Sequence, residues 1–386
     1  MHLFLSAGEP SGDLHGANLI RAIRARHPNV KIVGFGGEKM AAAGSQLLYP
    51  LAELAVMWFG RVVTNFAKFV RLANRANDYF QNERPDALVV IDYPGFNFAI
   101  AKRAAKLGIP VYYFLPPQLW AWAGWRIKKI KKYFTGVLTT KPFEDEWYRA
   151  RSVETVYVGH PYFDELVAQK LDPAFLAEQR AKPGRVVGIL PGSRNQEVTA
   201  NVPQMVAAAK KIHAARPDTR FLVASFSEPQ AAMAREMFAG ARVPVEVHVG
   251  RTPEIIELGE ACVSVSGSVG LELMYRLKPA VVVYRASAFM RWVARRLMTV
   301  KFISLVNLHA GEEVFPEFLT TRDASDGIAA KVLNWLDDPA ARAATAAKLK
   351  GLRDRIAVPG ACERAAEYIV REVGAKISAR PTRSAA

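Results

Sequence analysis

Cysteine is almost missing from this chain. Cys262 and Cys362 are the only 2 in 386 residues, too few for a disulfide framework and in keeping with a reducing compartment. Long apolar runs are missing too. The opening Met1-His2-Leu3-Phe4-Leu5-Ser6-Ala7-Gly8-Glu9 has no basic leader and is far too short for a signal peptide or a membrane span. No later segment reaches the length of a span without charges, so a protein neither integral to the membrane nor exported is expected. No His or Cys cluster has metal-ligand spacing, and no Asp-x-Asp pair stands ready for a nucleotide-bound divalent ion. No metal and no cofactor are expected.

What the chain has in excess is positive charge. Its formal charge is +16, with the basic residues beside aromatic and aliphatic ones, which points to an anionic surface as neighbour. Nucleic acid and anionic lipid both fit that description.

Strands alternate with helices nearly throughout, the pattern of parallel sheets covered on both faces. Strands are expected near Leu3–Ser6, Lys31–Phe35, Ala87–Ile91, Val111–Leu115, Val137–Thr140 and Thr155–Val158, then near Val186–Leu190, Phe221–Ser225, Val245–Val249, Ala261–Val265 and Ala280–Tyr284. The architecture occurs twice. A polar, alanine-rich stretch between Leu166 and Lys182 separates the two sets. The expected organisation is α/β: a doubly wound Rossmann-like domain over 1–168, a second over 169–358, and over 359–386 a C-terminal helix, free to pack back on the first domain, with a disordered tail from Ala379. Two such domains facing one another would bring loops from strand ends to both sides of a ligand cleft.

The most informative stretch is Leu190-Pro191-Gly192-Ser193-Arg194-Asn195-Gln196-Glu197-Val198, which follows an apolar run and precedes a helical pattern. Free backbone N–H groups, the helix dipole, the Ser193 hydroxyl and the Arg194 fork would converge there on one anion, a phosphate above all. The plain alternative is a strand-to-helix turn with a solvated arginine. Val265-Ser266-Gly267-Ser268-Val269-Gly270-Leu271-Glu272 repeats the layout. Ser266, Gly267 and Ser268 can meet a diphosphate, and Glu272, one turn on, can hold both hydroxyls of a ribose.

In the first half, Gly8 and Gly12 let the backbone of Ser6-Ala7-Gly8-Glu9-Pro10-Ser11-Gly12-Asp13 approach a ligand, while Glu9, Ser11 and Asp13 supply acceptors. Capping accounts for Ser11 and Asp13, whereas Glu9 before a proline suits sugar hydroxyls. Asp92, in Ile91-Asp92-Tyr93-Pro94-Gly95-Phe96-Asn97, ends a buried strand, from which a carboxylate can accept a proton from an attacking hydroxyl. A helix-capping carboxylate is the alternative. Trp120, Trp122 and Trp125 crowd six residues and suggest a wall for a sugar or an acyl chain, and Arg126 to Lys132 places five cations in seven positions, ordinarily a solvated helix face. Asn307, in Ser304-Leu305-Val306-Asn307-Leu308-His309-Ala310-Gly311, stands before a Gly turn, where an asparagine is more often structural than catalytic, and His160, at the domain crossover, suits a hydrogen-bonded structural histidine at least as well as an active-site one.

Taken in order, these segments resemble the lipid-A-disaccharide synthases, GT-B glycosyltransferases. The resemblance runs from Ala7–Asp13 through Ile91-Asp92-x-Pro94, Trp120-Ala121-Trp122, Lys141-Pro142-Phe143-Glu144, Gly159-His160 and Leu190–Arg194 to Ser266–Ser268 with Glu272 and Ser304–Gly311. It implies two Rossmann-like domains in the GT-B arrangement, the first binding the acceptor and the second the UDP-sugar. It also implies a reaction, in which the 6-hydroxyl of 2,3-diacylglucosamine 1-phosphate attacks the anomeric carbon of UDP-2,3-diacylglucosamine with inversion and releases UDP. Asp92 is then the base, Arg194 neutralises the departing diphosphate, Glu272 holds the ribose, and Asn307 lies on the nucleotide side. The family commonly carries an acidic residue where Gly95 stands and a basic stretch where Ala123-Gly124-Trp125 stands.

Membrane-held substrates would explain the charge. The resemblance implies a cytoplasmic protein, peripheral on the inner face of the inner membrane, with two candidate contacts: Val56-Met57-Trp58-Phe59-Gly60-Arg61-Val62-Val63 leading to Phe66, Phe69 and Val70, and Arg285 to Lys301 with Phe289, Met290, Trp292, Arg295 and Arg296. Core helices with a basic outer face fit both equally. The family also admits a homodimer with exchanged C-terminal helices. The competing readings are another GT-B transferase or epimerase acting on UDP-N-acetylglucosamine, and a non-catalytic basic protein on membrane or nucleic acid. A scaffold needs neither a ribose carboxylate nor a base, so no nucleic-acid partner is expected.

Overall fold

The computed structural model describes residues 1–53, 66–285, 296 and 298–379. Val56–Val63, most of the stretch from Arg285 to Lys301 (Phe289, Met290, Trp292 and Arg295 included) and the tail beyond Ala379 lie outside the described residues. The chain divides into two units: Met1–Asp164 with Val358–Ala386, and Glu165–Ala357.

In the first unit β1 (His2–Ala7), β2 (Lys31–Phe35), β3 (Gln46–Tyr49), β4 (Ala87–Ile91), β5 (Val111–Phe114), β6 (Gly136–Thr139) and β7 (Thr155–Tyr157) form one sheet in the order β3-β2-β1-β4-β5-β6-β7. Every pairing is parallel. The central β4 is apolar and buried at every position, as a strand covered on both faces must be. Alternate residues serve opposite faces. Leu3, Leu5, Val89 and Ile91 pack with the helix Pro10–Arg26, whereas Phe4, Leu88 and Val90 pack with the helices Phe66–Glu83 and Pro94–Lys106. The C-terminal helix Ala361–Ser378 joins the first of these layers through Ala365, Ala366, Ile369 and Val373. It is tethered there by the Asp164 carboxylate, which accepts the Gly360 N–H at 2.5 Å, and by Arg364 Nε, which donates to the Val158 carbonyl at 2.8 Å.

The second unit repeats the plan with β8 (Arg185–Leu190), β9 (Thr219–Ser225), β10 (Val245–Val249), β11 (Ala261–Val265), β12 (Ala280–Arg285) and β13 (Glu317–Thr320) in the parallel order β10-β9-β8-β11-β12-β13. The helices Asn195–Ala215 and Ser325–Asp337 cover its core of Val187, Ile189, Val223, Val263 and Val281. β3 and β13 match no strand expected from the sequence. Both are edge strands of 4 residues, mostly half-buried, and an edge strand needs no continuous apolar run.

Parallel strands end on one edge of their sheet. In each unit the strand order reverses once, between β1 and β4 and between β8 and β11. Helices leave opposite faces of the sheet on the two sides of such a point, and the crevice beyond the strand ends there is where doubly wound folds bind ligands.

Candidate active site

The loops singled out in the sequence lie at these two reversals. In the first unit Ala7 pairs with Ile91, so the Gly8–Gly12 loop and Asp92 leave neighbouring strands side by side. Asp92 and Tyr93 both have left-handed backbones, with φ of +47° and +46°. Aspartate tolerates that region and tyrosine does so poorly, so the turn must be held by its surroundings. The Asp92 carbonyl oxygen accepts Asn97 Nδ2 at 2.7 Å and the Tyr113 hydroxyl at 2.9 Å. Asn97 Nδ2 also reaches the Ile91 carbonyl at 3.2 Å, and its Oδ1 accepts the Ser6 hydroxyl at 2.8 Å. Asn97 is fully buried. Residues of β1, β5 and the helix Pro94–Lys106 thus fix the main chain of Asp92.

That carboxyl group is half-buried. Burial pushes its pKa above the usual aspartate value, while the Tyr93 N–H and the charges of His15 and Lys141 pull it back. A carboxylate of raised pKa is a stronger general base.

Gly8 is closely covered: a Cβ there would lie 2.1 Å from Cδ1 of the Tyr93 ring, which would have to move. Gly12 is different: its Cβ would sit 3.5 Å from Ala7 Cβ, an ordinary contact. Glu9 occupies the N-cap position of the helix Pro10–Arg26 and is half-buried, and Ser11 is exposed. Asp13 does not cap its own helix. Its carboxylate accepts the N–H groups of Gly37 at 2.7 Å and of Lys39 and Met40 at 3.1 Å, and so caps the helix Glu38–Ala42.

The expected tryptophan wall does not form as a unit. Trp120 is core: its Nε1 donates to Glu144 Oε1 at 2.9 Å and its ring meets Phe143 edge-on. Glu144, fully buried, also pairs with the buried Lys141 at 3.3 Å, which explains the Lys141-Pro142-Phe143-Glu144 segment as internal architecture. Trp122 and Trp125 are exposed. His160 Nδ1 accepts the Tyr162 N–H at 3.2 Å, and its ring stands edge-on to that of His15. Of the stretch expected at a membrane, Phe69 packs on Tyr93 and Phe96, and Val70 is exposed. A Cβ at Gly95 would meet nothing within 4 Å, so packing does not exclude a larger residue there.

In the second unit β8 runs into Pro191–Arg194 and the 21-residue helix Asn195–Ala215. Gly192 has φ of +105°, and a Cβ on it would lie 2.4 Å from Glu197 Oε2. That oxygen accepts the Arg194 N–H at 3.3 Å, while Glu197 Oε1 meets the Arg194 guanidinium at 3.0 Å. The anion facing Arg194 here is thus Glu197, supplied by the chain itself. Ser193 and Arg194 are exposed, and the buried Gln230 steadies their loop by donating to the Ser193 carbonyl at 2.8 Å and to Asn195 Oδ1 at 3.1 Å. A long helix N-terminus with an accessible guanidinium suits a diphosphate.

Across the reversal, Ser266 donates its hydroxyl to the Ile303 carbonyl at 2.8 Å, and Gly267 and Ser268 are exposed. Glu272 is buried and pairs with Arg276 Nε at 3.1 Å. Asn307 lies inside the protein. It is fully buried, its Oδ1 accepts the N–H groups of Val314 and Phe315 at 2.9 and 2.8 Å, and its Nδ2 donates to the Phe315 carbonyl at 2.7 Å and to Glu317 Oε1 at 2.8 Å. Both donors and both acceptor sites of its amide are used inside the protein. Glu317 also accepts the N–H groups of Ile303 and Ser304 at 2.8 and 2.9 Å, so the two residues together shape the segment that Ser266 touches. Asn97, Tyr113, Gln230 and Glu317 are the residues that sequence reasoning missed; Tyr113 and Gln230 act over 21 and 37 residues of chain, whereas Asn97 and Glu317 reach Asp92 and Asn307 over 5 and 10.

The family described as LpxB, lipid-A-disaccharide synthetase, matches residues 3–371. The chain belongs to that family. A lipid-A-disaccharide synthase of Myxococcus xanthus is 34% identical over 369 residues, covering 95% of this chain and 96% of its own. One from Geobacter sulfurreducens is 32% identical over 376 residues, covering 97% and 98%. Among solved structures, a putative UDP-N-acetylglucosamine 2-epimerase from Listeria monocytogenes superposes with a TM-score of 0.67 at 13% identity, covering 100% of this chain and 99% of its own. The glycotransferase of kitacinnamycin gives 0.60 at 19%, covering 96% and 98%. These two share the fold. As a member of the lipid-A-disaccharide synthetase family the protein is a GT-B glycosyltransferase of lipid A biosynthesis, and the readings as an epimerase or a non-catalytic basic scaffold fall away.

Proposed function

We propose that the protein joins two acylated glucosamine units, taking UDP-2,3-diacylglucosamine as donor and 2,3-diacylglucosamine 1-phosphate as acceptor. The first unit holds the acceptor and the second the nucleotide sugar. The Asp92 carboxylate takes the proton of the acceptor 6-hydroxyl as its oxygen bonds to the donor anomeric carbon, and the bond from that carbon to the diphosphate breaks. One displacement inverts the anomeric centre. The charge that gathers on the leaving UDP is met by Arg194, Ser193 and the N-terminus of the helix Asn195–Ala215, and Glu272 takes the ribose hydroxyls. Gly8, Glu9, Ser11 and Gly12 line the acceptor side, and Gly192, Ser266, Gly267 and Ser268 the diphosphate side; Asn307 contributes by shaping that side from within. The observation that carries this reading is the half-buried Asp92, of raised pKa, held at the reversal of the first sheet. Membrane-held substrates make this a peripheral protein of the cytoplasmic leaflet.

The test is disaccharide and UDP formation from the two acylated substrates in detergent, beside Asp92→Asn, with the anomeric configuration read by NMR. An inverted product that falls by about 10²–10⁴ in the variant supports the assignment. Turnover of unacylated UDP-N-acetylglucosamine alone, or a variant as active as the parent, would overturn it.

A further inference from the structure

Between Asp92 and Glu144 the chain carries no acidic residue. The turn after β5 and the short helix Ile127–Tyr133 lie in that stretch, and β5 is the neighbour of β4. Trp122 and Trp125 are 45% and 61% exposed, values far above those of core indoles such as Trp120 at 6%. Lys128, Lys129, Lys131 and Lys132 are all exposed, while Ile130 among them is buried. Trp122 ends the one-turn helix Leu119–Trp122, Trp125 lies in the tight turn Gly124–Arg126 and the lysines follow on the helix Ile127–Tyr133, so a short stripe of chain carries both exposed indoles and exposed ammonium groups. The Arg126 guanidinium sits 5.3 Å from the Trp122 ring centroid, and Trp147, beside Gly124, carries the Arg151 guanidinium at 4.0 Å.

We propose that this stripe is the surface with which the protein sits on an anionic lipid bilayer. It deepens the peripheral reading above by naming the contact. Indoles gain most at the boundary of headgroups and acyl chains, where the ring is dry and the N–H is wet, and lysines on the same stripe meet lipid phosphates. A duplex would gain from the lysines alone, and a single strand that stacked its bases on the indoles would show itself as DNA binding in the test below. The stripe follows β5 on the edge of the sheet where Asp92 ends β4, so docking there brings the base toward lipid-held hydroxyls.

The full chain is tested by flotation with vesicles of phosphatidylcholine, alone or mixed with phosphatidylglycerol, and no sugar substrate. Binding to the mixed vesicles that weakens with salt, and that falls about tenfold or more in Lys128→Gln/Lys129→Gln/Lys132→Gln, is expected. Brominated phospholipid should quench the parent's tryptophan fluorescence, and Trp122→Phe/Trp125→Phe, which keeps an apolar anchor, should lose most of that quenching. Disaccharide formation by the lysine variant in detergent stays at the parental level, which separates loss of docking from misfolding. Undiminished vesicle binding by the lysine variant, unchanged quenching in the Phe variant, or an effect confined to DNA binding or self-association would each overturn the proposal. Because no sugar enters the binding assay, a failed transferase reading would leave its outcome intact.

Discussion

Asn97 Nδ2 donates to the Asp92 carbonyl oxygen over 2.7 Å, inside a helix whose own first turn begins only at Pro94. The bond ties the residue proposed as base to the helix that follows it, and with the Tyr113 hydroxyl it satisfies a carbonyl that a left-handed turn would otherwise leave without a strand partner. Rigid support of this kind decides whether a base stands at the right place and not merely nearby.

Asn97→Ala removes the donor to the main-chain carbonyls of Ser6, Ile91 and Asp92 and the acceptor for the Ser6 hydroxyl, most of them buried. A cost of about 2–4 kcal/mol in stability is expected. Tyr113→Phe removes one hydrogen bond and keeps the ring, and should cost about 1 kcal/mol. Because both act on where Asp92 stands, kcat should fall about tenfold or more in each folded variant while acceptor KM moves little. A fall in stability with kcat preserved would reduce the pair to packing.

Asp92 itself sets stability against chemistry. Burial raises its folded pKa above the unfolded value, so the folded state holds its proton more tightly and loses stability as pH climbs through the window between the two values. Asp92→Asn, which tolerates the same left-handed backbone, should therefore melt higher than the parent at pH 7 and match it at pH 3, where both states are protonated. Activity runs the other way: the parent's kcat/KM should rise with pH on an acid limb placed above the ordinary aspartate range. Calorimetry and a pH–rate profile check the two halves separately.

Gly8→Ala would drive a methyl group into the Tyr93 ring, and Tyr93 already carries a left-handed φ of +46°. The ring has to swing away and take the adjoining Asp92 with it. The expected result is about 1–3 kcal/mol of lost stability and a larger loss of kcat than Gly12→Ala, whose added Cβ finds 3.5 Å of room. Equal effects of the two alanines would mean that the Gly8–Tyr93 contact does not position the base.

Much of this was legible in the sequence, and the limits have physical causes. β1, β4, β8 and β11 are central strands with buried apolar runs, and the small residues that follow them mark the loops at both reversals. β3 and β13 are edges with one face half open, so no run announces them. Trp120, Trp122 and Trp125 look alike in the chain, and only the arrival of Glu144, 24 residues later, decides which indole is core. Gln230 carries no local signal, since its partners Ser193 and Asn195 lie 37 and 35 residues away, and Asn97, 5 residues from Asp92, is held in place by Ser6, 91 residues away.

Asn307 and Glu317 provide the sharpest check on the nucleotide side. Asn307 makes four amide hydrogen bonds within the protein, so a direct contact with UDP would have to break one of them. If its work is to shape the segment around Ile303 and Ser304, then Glu317→Gln, which keeps the side chain's shape but turns one acceptor oxygen into a donor, should weaken UDP binding too. The pair should also be coupled, because Asn307→Ala leaves Glu317 short of a partner and the two N–H groups of Val314 and Phe315 buried without acceptors. Asn307→Ala is expected to cost about 3 kcal/mol in stability, Glu317→Gln about 1–2, and the double variant less than their sum. UDP affinity by calorimetry should fall about tenfold in each, through a faster off-rate. A direct ligand contact predicts otherwise: Asn307→Ala would lose UDP with stability nearly unchanged, and Glu317→Gln would bind like the parent.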